Sequence, residues 1–292
     1  MELFDSHCHL DDEKFNEDRE NIISNIFSSN ISKLISAGYS LESSKNALEL
    51  TKIYPQIYTV SGISPNDIKE NVENIQEEIN EIEFLAKNEK VVGIGEIGLD
   101  YYWNKENKEL QKFAFIKQIE VANRLNLPIV IHTREAVMNT LEILKEYPVN
   151  KKGVFHCCPL NTELVKEALK LGFYISFAGP ITFKNSKNAN EVIALVPDDR
   201  ILIETDSPYL SPEPNRGKRN DSTNVKYIAE KIANVKGYIL EEVAKITYDN
   251  ACRIFEIKCW KIRSYKVRVK FYEFGLTNSK VCDRISNCNP LN

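Results

Sequence analysis

Short apolar runs of strand length recur along the chain at 2–4, 33–37, 57–62, 91–95, 128–131, 153–155, 173–177 and 201–203. Runs such as "VVGIG", "PIVI" and "RILI" are continuous rather than strictly alternating, as in parallel strands packed on one side and covered on the other. Between them, 74–87, 110–125, 134–147 and 161–172 space apolar residues by three and four, which predicts amphipathic helices. The last has Asn161 or Thr162 placed to cap its start and Gly172 placed to stop it. Strands alternating with helices predict an α/β fold, a (β/α)8 TIM-type barrel. A doubly wound open sheet is the alternative, weakened because no Gly-rich phosphate fingerprint follows the first strand.

Polar residues gain meaning from where they fall on this frame. The chain has only four histidines. His7 and His9 follow the first run, Glu96 follows "VVGIG", His132 follows "PIVI", His156 follows "GVF" and Asp206 follows "RILIET". In a barrel the C-terminal strand ends converge on one mouth, where active sites lie. Residues i and i+2 of a strand point to one side, so His7 and His9 can share a metal while Cys8 points away. These six are the candidate metal ligands.

Composition narrows the picture. With 292 residues, 42% hydrophobic and 27% charged, the chain can bury one large core. A net charge of −4 argues against coating nucleic acid by bulk electrostatics, so any phosphate binding must be local. No run of about 18 apolar residues marks a membrane span. The opening segment has no basic region, apolar stretch or cleavage site of a signal peptide. Seven cysteines without a C-x-x-C pair suggest reduced thiols. A cytoplasmic, monomeric protein without membrane contact is expected.

The stretches "DSHCHL", "GIGEIGLDYY", "QKFAFIKQIEVANRLNLPIVIHTREA", "GVFHC" and "ETDSPYLSPEPNRGKRND" resemble the TatD-type metal-dependent deoxyribonucleases, a branch of the amidohydrolase-like barrels. The resemblance runs from residue 1 to about 257 in family order. It implies a phosphodiesterase with two divalent ions in the barrel mouth. His7, His9 and Asp206 would hold one ion, His132 and His156 the other, and Glu96 would bridge them. Ligand softness favours zinc or manganese, while magnesium could serve with substrate oxygens completing its shell. Asp206 is the candidate for positioning or deprotonating the attacking water, with Glu96 as the other catalytic carboxylate. Asp5, Asp100 and Glu204 are expected to accept histidine N–H groups or to shape the mouth.

Arg134, two residues beyond His132, and Arg216 and Arg219 in "RGKRN" are candidate phosphate contacts, because a guanidinium donates two parallel hydrogen bonds. Tyr101, Tyr102 and Trp103 suit either base stacking or packing of the mouth. Family members usually carry G-x-H-P-H after the third strand. Here the stretch is "GISPN", with Ser64 and Asn66 where the histidines would stand, which bears on substrate contacts more than on metal binding. Cys157 in "HCCPL" reads as a packed thiol rather than a ligand. Residues 258–292 lie outside the resemblance and hold eight Lys or Arg against two acidic residues, a basic extension of unassigned role.

The expected activity is metal-dependent hydrolysis of phosphodiester bonds in DNA, as a 3′–5′ exonuclease on single-stranded ends. The alternatives are an acyl or amide hydrolase, such as an aminoacyl-tRNA deacylase, and a catalytically weakened metal- or nucleic-acid-binding protein.

Overall fold

The computed structural model describes residues 1–258. Eight parallel strands pair in chain order: β1 (Leu3–Cys8), β2 (Ile31–Ala37), β3 (Ile57–Ser61), β4 (Val91–Asp100), β5 (Ile129–Arg134), β6 (Gly153–Phe155), β7 (Tyr174–Phe177) and β8 (Ile201–Ile203). Between and after them run α1 (Arg19–Ser28), α2 (Leu41–Ile53), α3 (Val72–Leu85), α4 (Lys108–Leu125), α5 (Val137–Glu146), α6 (Thr162–Lys170), α7 (Ala189–Leu195), α8 (Val225–Lys236) and α9 (Leu240–Ile254). The sheet curls until its two edges meet. At that seam Ser6 Oγ donates to the Ile203 carbonyl at 2.9 Å, the Asp206 N–H to the His7 carbonyl at 2.9 Å, and the His9 N–H to the Ser207 carbonyl at 2.7 Å. The expected TIM-type barrel is therefore the fold, and the open sheet is excluded.

Strand alternation sorts the core into two clusters. Phe4, Ile35, Val60, Val92, Val130, Val154, Tyr174 and Leu202 fill the barrel interior, joined by Tyr248 and Ala251 of α9 and by Phe255 just beyond it. Their alternates, among them Leu3, Leu34, Val91, Ile131 and Phe155, pack outward against helix residues such as Ile23, Ile79, Phe115 and Leu164. Each fully buried side chain of this size contributes about 1.5–3 kcal/mol. α9 explains why the chain needs a ninth helix: its Tyr248 stacks edge-on against Phe4 and accepts the buried Lys33 ammonium at 2.9 Å.

Three strands run further than their apolar runs. His7, Glu96 and His132 lie inside β1, β4 and β5 rather than after them. In β4 the ladder shifts register between Ile94 and Ile97, and beyond that irregularity Glu96 faces inward while Ile97 and Leu99 stay in the outer apolar layer. Asn161, not Thr162, caps α6, its side chain accepting the Leu164 N–H at 2.9 Å, and Gly172 beyond its end adopts φ +89°. Among the described residues Cys8, Cys157 and Cys158 are free thiols. Among the described residues no helix is long and apolar enough to cross a membrane. The basic extension at 258–292 lies, apart from Lys258, outside the described residues.

Candidate metal centre

In β1, Phe4 points into the interior core, and strict alternation would send His7, three residues on, to the opposite face. The pairing with β2 shifts register between Asp5 and Cys8, which resets the phase. His7 and His9 therefore turn into the mouth with their Nε2 atoms 3.2 Å apart, while Cys8 Sγ turns away to the Ile35 carbonyl. β5 and β6 need no such device: His132 follows Val130 and His156 follows Val154 on the interior face. Asp206 sits beyond β8 at φ +55°, a left-handed conformation rare for a side-chain-bearing residue, and its N–H is pinned to the His7 carbonyl.

Glu96 lies between the histidine pairs. Its Oε2 is 3.4 Å from His7 Nε2 and 3.8 Å from His9 Nε2, and its Oε1 is 3.0 Å from His132 Nδ1 and 3.5 Å from His156 Nε2. His132 Nδ1 and His156 Nε2 are themselves 3.2 Å apart. Asp206 Oδ1 completes the first pair's side, 3.3 Å from His9 Nε2 and 3.7 Å from His7 Nε2. Two donors held about 2.1 Å from one tetrahedral ion are about 3.4 Å apart, so the observed separations are those of ligands sharing ions. Three overlapping groups meet this condition: His7, His9 and Glu96; Glu96, His132 and His156; and His7, His156 and Asp206.

The outer ring nitrogens support the same use. His9 Nδ1 meets the Ala37 carbonyl at 2.9 Å, His132 Nε2 meets Asp100 Oδ2 at 3.0 Å, and His156 Nδ1 faces Glu204 Oε1 at 3.4 Å. An outer N–H given to an acceptor leaves the inner nitrogen's lone pair aimed at the centre. Burial opposes charge on every group here, yet mutual attraction outweighs it for most of them. His9 is raised to about 9 by Asp206 and Glu96, His132 is raised by Asp100 and Glu96, and His156 is raised well above its ordinary value. Glu96 is held well below the carboxylate range by His156, His132 and His7, and Asp206 is lowered by His9. His7 is lowered, by burial and by its neighbour His156, whose ring stacks on it at 4.1 Å. Ionised carboxylates facing imidazoles that ordinarily hold protons are a cluster in which a divalent cation can replace those protons.

The remaining expected residues divide. Asp100 and Glu204 face histidines, but Asp5 does not contact an imidazole: its oxygens accept the N–H and hydroxyl of Thr205, tying β1 to the segment after β8. Burial pushes Asp5 up to about 7. Ser64 donates to Asp67 at 2.7 Å, and Asn66 donates to Asp100 Oδ2 at 3.4 Å, so the "GISPN" turn reaches the carboxylate behind His132. Arg134 lies over the Tyr102 ring, with its guanidinium carbon 3.9 Å from the centroid. Arg216 stacks on Phe183 at 4.2 Å. Arg219 lies where the loop folds back onto the segment before α1, its guanidinium forking onto Asp18 and donating to the Lys14 carbonyl. Cys157 Sγ is not among the ligand groups, while its N–H donates to Glu204 Oε1 at 2.6 Å. Sequence reasoning missed Asp67, Thr205 and the Ala37 carbonyl; of these only Asp67, one residue past "GISPN", stood beside a recognisable motif.

The family model described as TatD related DNase matches residues 4–256. Curated relatives include the uncharacterized metal-dependent hydrolase YabD of Bacillus subtilis (strain 168), 42% identical over 256 residues and covering 87% of this chain and 99% of that protein. The uncharacterized metal-dependent hydrolase YcfH of Escherichia coli (strain K12) is 36% identical over 270 residues, covering 91% of this chain and 100% of that protein. Among solved structures, the TatD homolog YJJV from Escherichia coli K12 superposes with a TM-score of 0.82 at 24% identity, over 88% of this chain and 98% of that one. The Escherichia coli phosphotriesterase homology protein, complexed with phosphate in its active site, superposes at 0.65 and 17% identity over 87% of this chain and 98% of that one.

Proposed function

The chain belongs to the TatD-related DNase family of metal-dependent hydrolases, and from that premise we propose that it hydrolyses phosphodiester bonds at the ends of single-stranded DNA with two divalent ions. The observation that carries this reading is the placement of Glu96, one oxygen toward His7 and His9 and the other toward His132 and His156. Zinc, manganese or magnesium in those two groups would supply Lewis acidity to a phosphoryl oxygen and acidify water. Glu96 and the four histidines would hold those ions. Asp206, ionised at neutral pH and pinned to His7 through its backbone, orients the attacking water and accepts its proton at Oδ2. Two carboxylates against two dications leave a positive mouth that suits an anionic substrate, and Arg134 and Arg216 add guanidinium donors for flanking phosphates.

End-labelled single-stranded DNA incubated with the purified protein in EDTA, Mg²⁺, Mn²⁺ or Zn²⁺ tests this. A metal-dependent ladder progressing from the 3′ end, lost in His132→Ala, is the expected result. Intact DNA under every metal, with ions bound stoichiometrically, would refute it and direct attention to acyl-tRNA.

A further inference from the structure

Three aromatic residues follow β4, and the structure separates them. Tyr101 turns into the outer core at 7% exposure, whereas Tyr102 is 43% and Trp103 68% exposed at the mouth. Large apolar rings left in water mark a surface that something else covers. The two rings meet edge to face, centroids 4.8 Å apart at 87°, and Arg134 lies over both, 3.9 Å from Tyr102 and 5.5 Å from Trp103. Arg134 forms no ion pair among the described residues, so its charge is held by ring faces alone.

This corner is indexed to the candidate centre by a single carboxylate. Asp100 Oδ1 accepts the N–H groups of Tyr102 and Trp103 at 2.9 and 3.0 Å, while its Oδ2 meets His132 Nε2 at 3.0 Å. Register adds a second tie, since Asp100 pairs with Arg134 across β4 and β5, two residues beyond the pairing of Gly98 with His132. A flat aromatic face, an unneutralised guanidinium and an adjacent phosphoryl site form the set of groups that fits one nucleotide: ring for base, cation for phosphate.

We propose that Tyr102, Trp103 and Arg134 form a stacking platform for an unpaired nucleobase flanking the scissile phosphate. The proposal rests on the phosphodiesterase reading. Paired bases in a duplex interior present no free face to Trp103, so a single strand or frayed end is selected without any base-specific hydrogen bond. Sequence preference is weak for the same reason, because every base has a π face.

The test compares the full chain with Trp103→Ala and Trp103→Phe on a single-stranded oligonucleotide and on one of equal length whose terminal nucleotides are abasic. Trp103→Ala raises KM for the normal strand about tenfold with kcat held within about twofold, Trp103→Phe restores it, and the abasic strand shows no difference between the proteins. Binding is read independently in EDTA from tryptophan fluorescence in a Trp260→Phe background, where Trp103 is the remaining tryptophan of the two. The normal strand quenches the emission and the abasic strand does not. Cleavage with unchanged KM and no quenching overturns the platform and leaves the hydrolase reading intact. Quenching without cleavage supports the platform and overturns the hydrolase reading. Equal quenching by both strands also overturns it, since phosphate alone would then account for binding.

Discussion

Gly98→Ala is the sharpest perturbation of the centre that leaves every candidate ligand in place. Gly98 pairs with His132 across β4 and β5 at φ +141°, where a side chain is strained. A Cβ there would lie 2.0 Å from the His132 carbonyl oxygen, about 1.5 Å inside ordinary van der Waals contact. Backbone moves, because no flexible side chain is in the way. Metal sites tolerate ligand displacements of about 0.2 Å, so even a fraction of that shift removes His132 from the group it forms with Glu96 and His156. Strain and overpacking each cost about 1–3 kcal/mol, together about 2–6 kcal/mol, which lowers Tm by about 5–20 °C in a chain of this size. Metal content per chain by inductively coupled plasma mass spectrometry, measured beside a thermal melt and circular dichroism, should show a folded protein with one ion lost. A variant that keeps both ions and melts within about 2 °C of the parent would refute the claim that this contact positions His132.

Asp100→Asn removes the charge that fixes His132 and should weaken binding of that ion about 10–100-fold, read by competition with a chelator, with the fold intact. EDTA should lower the melting temperature, and the loss should scale with free-ion concentration during back-titration, because ligand bound only to the folded state stabilises it by mass action. His9, raised from 6.5 to about 9 in the metal-free protein, contributes stability that is complete below about pH 6.5 and is lost as pH rises through about 9. A cation must expel that proton, so calorimetric metal affinity should rise from pH 6.5 to 9 by up to about tenfold per unit, with proton release falling over the same window. Asn161→Ala removes the cap of α6 and should cost about 1 kcal/mol in denaturant melts without changing metal content.

The legible part of this protein is the part in which chemistry coincides with periodicity. Eight apolar runs located eight strands, and all four histidines stood out because each closed such a run. α1, α2, α7, α8 and α9 were not read from periodicity; α1 and α2 have modest apolar faces because much of their surface stays in water. Strand ends at His7, Glu96 and His132 were placed too early because a polar residue looks like the end of an apolar run when it is simply the residue facing the mouth. The partner of Arg219 was not legible, because a basic cluster in sequence gives no warning that Asp18, distant along the chain, folds against it. Asp5 could not be placed from sequence beyond its neighbourhood: it accepts the backbone N–H of His7, but its shorter bonds come from Thr205 across the seam.

Asp5 also shows how fold and site depend on each other. A carboxylate this deeply buried is costly unless hydrogen-bonded, and Thr205, 200 residues away in sequence, donates to each of its oxygens while the His7 N–H adds a longer bond at 3.4 Å. That contact closes the ring, and within two residues on either strand the same seam carries His7 and Asp206, joined through the Asp206 N–H and the His7 carbonyl. The centre cannot form in a partly wound barrel, since His7, His9 and Asp206 come together only when the first and last strands meet. Conversely, ions binding across that seam add their free energy to the last and least local step of assembly, where loop-closure entropy is greatest. Because the candidate centre sits at the closing joint of the fold, removing its ions is expected to loosen the barrel, read as a lower melting temperature in EDTA.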